Sequence, residues 1–142
     1  HAALKLKNEV VNHLNAKGYE VKDFGIYEEG AVDYPDYALP VAEAVAFGKA
    51  DKGILICGTG IGMSIAANKV KGIRCALCSD TFSAHATREH NDANVLAFGE
   101  RVVGPGLALD IVDTFLNTEF SGAERHEKRI RKISAIEDKY FK

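Results

Sequence analysis

A thiol, three glycines and two hydroxyls fall within eight residues at Cys57-Gly58-Thr59-Gly60-Ile61-Gly62-Met63-Ser64, directly after the apolar run Ile54-Leu55-Ile56. The run predicts a buried strand, and the glycines predict a tight turn entering a helix. Backbone N–H groups left unpaired at a helix start attract anions, and glycine lets the main chain approach a ligand closely. The same field would favour a thiolate at Cys57. An ordinary thiol is only ~3% ionised at pH 7, and a helix N-terminus can raise that to half or more. A thiolate beside an anion hole is a base that can move a proton to and from carbon.

Other readings of the turn compete. A GxxxxGK[ST] phosphate loop fails, because no Lys-Ser/Thr follows at the required spacing. A dinucleotide fingerprint is closer: Gly58, Gly60 and Gly62 follow a strand, and Asp80 ends the next strand about where a ribose-binding acid belongs. The spacing is GxGxG, however, with Met63 where the third glycine is wanted. A nucleotide-binding module stays open as the alternative, as does a turn with no ligand at all. Cys75 and Cys78 form a CxxC, but residues three apart on a strand point to opposite faces, so they read as core. His13 and His85 receive no role, and no cluster has metal-ligand spacing, so metal-free and cofactor-free chemistry is expected.

The elements that must position this turn alternate. Leu6, Val10 and Leu14 recur at helical spacing, Gly18 closes that helix, and Tyr19 to Phe24 reads as a strand. A second helix, with Tyr37, Ala38, Val41, Ala42, Ala44 and Val45 on its apolar face and Pro40 in its first turns, is expected to end near Gly48. Next come a strand over Lys52 to Cys57, a helix over Met63 to Lys69, a strand over Arg74 to Cys78 and a helix over Thr81 to His90. A strand over Val95 to Phe98, a helix from Pro105 to Leu116 and a charged helix from Glu124 to Tyr140 complete the chain. This order predicts a single α/β domain over residues 1–142, with a mainly parallel sheet covered by helices on both faces. The length and the 46% apolar content suit one domain with a proper core. A net charge of −2 with interspersed signs argues against a nucleic-acid partner. No apolar run could span a bilayer, no cleavable signal is visible, and three unevenly spaced cysteines suit a reducing compartment, so a cytoplasmic protein is expected.

Three segments carry a resemblance over essentially the whole chain: Cys57 to Lys69, Arg88-Glu89-His90-Asn91-Asp92-Ala93-Asn94 through Gly99, and Arg125-His126 with Arg129. Asp33-Tyr34-Pro35-Asp36-Tyr37 and Gly99 to Gly104 add to it. Together they resemble the type B ribose-5-phosphate isomerases, in a superfamily that also holds galactose-6-phosphate isomerase subunits and enzymes of allose 6-phosphate. The resemblance implies a three-layer Rossmann-like sandwich. It also implies one more strand before the first helix, ending in Asp-His; His1 matches that histidine, and the aspartate is absent from these residues.

The implied activity is an aldose–ketose isomerisation of ribose 5-phosphate and ribulose 5-phosphate through a cis-enediolate, a step of the pentose phosphate pathway, with allose 6-phosphate or galactose 6-phosphate as alternative substrates. By resemblance Cys57 is the carbon base and His90 the ring-opening acid, while Thr59 touches the C1 or C2 oxygen. The N–H groups over Gly58, Gly60, Ile61 and Gly62, with Ser64 nearby, form the anion hole. Asn91 holds sugar hydroxyls, Tyr34 serves the ring oxygen, and His1, Arg101, Arg125 and Arg129 hold the phosphate. A Gly-Gly-Arg-His sequence is frequent near the family's tail, where this chain has Gly122-Ala123-Glu124-Arg125-His126. A homodimer with shared sites is implied, the terminal helix over about 124–140 serving both dimer and phosphate, with dimer against tetramer left open. The apolar stripe Ile130, Ile133, Ile136 and Tyr140 on that helix calls for a partner surface.

Overall fold

The computed structural model describes residues 2–25 and 33–141. Three parallel strands, β1 (Gly53–Cys57), β2 (Cys75–Leu77) and β3 (Val95–Gly99), lie in the order β1-β3-β2. Side chains alternate across β3. Leu96 and Phe98 enter one core with α1 (Ala2–Ala16), α4 (Thr81–Asn91) and α5 (Pro105–Asn117), while Val95 and Ala97 enter another with α2 (Pro35–Ala46) and α3 (Ile61–Ala67). The result is the expected three-layer α/β sandwich, with every strand of the sheet parallel. The terminal helix α6 (Glu124–Tyr140) rests on α4. No helix among the described residues is long and apolar enough to cross a membrane.

The expected strand over Tyr19 to Phe24 is not formed. A strand needs a ladder partner, and the sheet's hydrogen bonding ends at β1. Val21 still packs against the α1/α5 core, and Asp23 meets Lys7 at 2.8 Å, so the alternation in the sequence reported burial and not pairing. Gly18 does close α1, at φ +87°, with the Tyr19 N–H returning to the Leu14 carbonyl at 3.1 Å.

Helix α3 stops two residues early for a local reason. The Asn68 side chain accepts from the Cys75 N–H at 2.8 Å and donates to the Cys75 carbonyl at 3.0 Å, so it leaves the helix and covers the outer edge of β2. Cys75 and Cys78 fall on opposite faces, one packed with the α2/α3 core and the other inside the α1/α5 core. Burial pushes both thiols up, Cys75 to about 12 with help from Cys78 and Cys78 to about 11 with help from Asp80.

Helices α1 and α5 are clamped by Asp113, which accepts from His13 Nε2 at 2.8 Å and from Lys17 Nζ at 3.0 Å. Burial works to raise the Asp113 pKa, but the hydrogen bonds and charges of His13 and Lys17 together hold it below the ordinary carboxylate value. The folded state therefore binds this proton more weakly than the unfolded chain. Its stabilisation is complete above the unfolded value of ~3.9 and is lost as pH falls through the folded value. Asp113→Asn should lower stability by about 1 kcal/mol at pH 7. Denaturant titrations of the two proteins should converge as the pH is taken below that value; a gap unchanged down to the acid limit would assign the loss to something other than the carboxylate's charge.

Candidate active site

Strand β1 delivers Cys57 to the C-terminal rim of the sheet, level with Gly99 at the end of β3. The sulfur accepts the Gly60 N–H at 3.1 Å, and Thr59 Oγ1 accepts the Ile61 N–H at 3.2 Å. Two donors expected for a ligand are thus bonded within the turn. The Gly62 and Met63 N–H groups belong to the first turn of α3, where a helix supplies no acceptor of its own. Ser64 departs from expectation more fully: its hydroxyl is nearly buried and donates to the Ile61 carbonyl at 2.7 Å, which commits its proton to the helix.

The glycines have a steric purpose that their anion-hole reading left out. Gly60 sits at φ +79°, and a Cβ there would stand 2.7 Å from Leu77 Cδ1 and 2.8 Å from the Phe98 carbonyl carbon. Gly62 lies under the Tyr34 ring, whose Cζ would be 2.5 Å from a Cβ at that position, so Tyr34 does belong to the Cys57 rim. Gly99 lets the Thr59 backbone cross the end of β3, because a Cβ there would overlap Thr59 Cα. Arg101 follows at once. Its N–H donates to the Gly58 carbonyl at 3.0 Å and its side chain runs beside Gly58, 80% exposed.

His90 and Asn91 end α4, which leads into the first residue of β3, and they therefore occupy the opposite rim. The Gly53 N–H, donated to the Asn94 carbonyl at 3.0 Å, marks that level. From Gly53 paired with Val95 to Cys57 paired with Gly99 the chain takes four strand steps, so the rims stand ~13 Å apart or more. His90 faces His126 with ring centroids 4.6 Å apart. His126 is buried, its Nδ1 is 2.7 Å from Ser121 Oγ, and its pKa is held below the ordinary value by burial and by the charges of Arg125, His90 and Arg129, against the pull of Glu89. Arg125 and Arg129 are exposed on the same helix.

The sequence-based site thus divides. Cys57, Thr59, Gly58, Gly60, Ile61, Gly62, Ser64, Tyr34 and Arg101 gather on one rim, and His90, Asn91, Arg125 and Arg129 lie with α4 and α6 on the other. His1 lies outside the described residues. His126 was given no role, and the only sequence signal for it was its place after Arg125. Asp80, the acid of the nucleotide alternative, is instead the N-cap of α4: its carboxylate accepts the Ser83 N–H at 2.6 Å and the Ser83 hydroxyl at 3.0 Å. Among the described residues no three His, Cys, Asp or Glu side chains gather as a metal site.

The sequence model of the ribose/galactose isomerase family matches residues 1–133. Ribose-5-phosphate isomerase B of Escherichia coli is 53% identical over 139 residues, covering 98% of this chain and 93% of that one. D-erythrulose-4-phosphate isomerase of Pectobacterium atrosepticum is 47% identical over 137 residues, covering 96% and 90%. The structure of Clostridium thermocellum ribose-5-phosphate isomerase B superposes with a TM-score of 0.95 at 58% identity, covering 99% of this chain and 94% of that one. The chain belongs to the ribose/galactose isomerase family.

Proposed function

We propose that this chain interconverts ribose 5-phosphate and ribulose 5-phosphate as a cofactor-free aldose–ketose isomerase of the pentose phosphate pathway. The observation that carries the reading is the Cys57 thiol at the strand end, with the Gly60 N–H on its sulfur and the first turn of α3 beside it. The name of the E. coli relative supplies the substrate. Allose 6-phosphate and galactose 6-phosphate remain the alternative substrates, and the relative that acts on erythrulose 4-phosphate shows that names differ at close identity. Asp80 is committed to its helix cap, which counts against nucleotide binding.

In this scheme His90 donates to the furanose ring oxygen as the ring opens, with Tyr34 assisting, and Asn91 holds sugar hydroxyls. Cys57 as thiolate takes the C2 proton of the open aldose, and the C2–H electron pair forms the C1–C2 double bond of the enediolate. Negative charge collects on the C1 oxygen, near Thr59 and the N–H groups of the turn. The C2 hydroxyl gives its proton to the C1 oxygen as the C2 carbonyl forms, and the thiol returns its proton to C1, giving the ketose and regenerating the thiolate, so no oxidant or reductant is consumed. Arg101, Arg125 and Arg129, with His1, hold the phosphate.

These groups cannot meet within one chain, because the sheet separates the Cys57 rim from the His90 rim. We therefore take the working unit to be a homodimer in which α4 and α6 of one chain complete the Cys57 pocket of the other. The stripe on α6 supports this: Ile133, Ile136 and Tyr140 are exposed, and the first two border a groove of about 390 Å³ with Ile73, Cys75 and Ala93. Three unpaired cysteines suit the reducing cytoplasm.

Steady-state kinetics on the three sugar phosphates should give ribose 5-phosphate the highest kcat/KM. Cys57→Ala should lower kcat by about 1,000-fold or more while the substrate Kd stays within about threefold, as for a group acting in the transition state. Retention of more than about a tenth of turnover, a loss under ~1.4 kcal/mol, would move the base elsewhere. Mixing Cys57→Ala with the double variant Arg125→Ala/Arg129→Ala should restore activity, because each heterodimer holds one pocket with all groups intact. Verified heterodimers without recovery would mean that the tail serves its own chain. Iodoacetamide should label Cys57 before Cys75 and Cys78, whose thiols are held protonated, and ribose 5-phosphate should protect it. Peptide mass spectrometry reads the order, and first labelling at Cys75 or Cys78 would contradict the placement.

A further inference from the structure

Helix α4 does not end on glycine. It ends on Asp92, at φ +47° and ψ +44°, the one non-glycine residue with positive φ among the described residues. Aspartate tolerates this left-handed corner better than most side chains, yet the conformation persists only where surroundings enforce it. Two arginines enforce it here. Arg88, 6% exposed, donates through Nη1 to Asp92 Oδ1 and to the Ala93 carbonyl, both at 2.7 Å, and through Nε to the Thr118 carbonyl at 3.1 Å. Arg74 donates through Nε to the Asn91 carbonyl at 3.0 Å and through Nη2 to the Asp92 carbonyl at 2.9 Å.

We infer that Arg88 is a positioning residue for His90 and Asn91, acting through the left-handed corner at Asp92. The inference rests on the isomerase reading above. The placement is specific: a guanidinium one helical turn before Asp92 ties the exit of α4 both to the loop entering β3 and to the end of α5. A cation buried this deeply needs hydrogen-bond partners, and the three that Arg88 makes converge on the corner and on the Thr118 carbonyl. His90 and Asn91 are the last helical residues before it, so their direction follows the corner's geometry. Lysine at position 88 would keep the charge but has a single nitrogen, and could not reach all three acceptors in a fork.

The two halves of the reaction give the test. Ribose 5-phosphate is a furanose and needs ring opening, whereas ribulose 5-phosphate is acyclic. With the ketose, Cys57 alone can take a C1 proton to form the enediolate, exchange it with solvent deuterium and return a deuteron to C1. Arg88→Lys should slow conversion of ribose 5-phosphate on the order of 100-fold, the cost of a displacement of about 1 Å at a reacting group. Deuterium entry into saturating ribulose 5-phosphate, followed by NMR, should stay within about threefold of wild type. Asp92→Asn, which leaves the Arg88 bonds to both carbonyls, should show the same split more weakly and carries the test if Arg88→Lys does not fold. Equal loss of both rates, or loss of neither, would overturn the inference and leave Arg88 with a purely structural purpose. Failure of the wild-type enzyme to convert ribose 5-phosphate into ribulose 5-phosphate at all would overturn the isomerase reading itself.

Discussion

The polarity of the parallel sheet is the constraint on which the rest of the structure depends. In a parallel sheet every strand delivers its last residue to one rim, and every connecting helix returns the chain to the other. Cys57 closes a strand and His90 lies in the last turn of a helix, so the fold places the proposed base and the proposed acid on opposite rims. The turn at one rim supplies N–H donors and the tail helix at the other supplies guanidinium groups, again by polarity. In the proposed scheme a phosphate handle and a carbon base on opposite rims cannot grip the same small sugar, and the proposed second copy, turned to face the first, would remove the difficulty without altering either rim.

The Cys57 rim is built by the absence of side chains. Gly60, Gly62 and Gly99 each stand where a Cβ would overlap a neighbour: the Phe98 backbone, the Tyr34 ring and the Thr59 backbone respectively. Close crossing draws the turn down onto the end of β3, so that Cys57, Thr59 and Arg101 are brought together by backbone contact. The Glu100 and Arg101 N–H groups bond the Cys57 and Gly58 carbonyls at 2.9 and 3.0 Å, which fixes the crossing. Glycine's entropic cost is offset by these contacts, which no larger residue could make.

The other rim is built from buried polar groups. Among the described residues Arg88 and His126 are two of the three buried polar or charged ones; Arg88 belongs to the last turn of α4 and His126 lies against it. Arg88 bonds three oxygens through Nε and Nη1, and His126 Nδ1 meets the Ser121 hydroxyl, as low dielectric favours. His126 is kept toward its neutral form by burial and by Arg125, His90 and Arg129, so it offers His90 a ring face without a competing charge. His90 is therefore flanked by a tilted ring on one side and by the Asp92 corner at its base.

Hydrophobic periodicity, the position of glycines and the cysteine before them determined the order of helices and strands, the parallel sheet, the opposite facing of Cys75 and Cys78, and the family. These are local signals, carried by a period or by a few adjacent residues. Tyr19 to Phe24 failed because alternation reports which side chains are buried and says nothing about whether a ladder partner exists. Helix α3 ended early because Asn68 bonds Cys75, seven residues on, and Ser64 turned inward because the Ile61 carbonyl was within reach. The tertiary structure alone decided that Cys57 and His90 are kept apart, that His126 backs His90, and that Arg88 holds the Asp92 corner. Each depends on strand register or on side chains meeting across elements, and distance in space between such residues is not written in their distance along the chain.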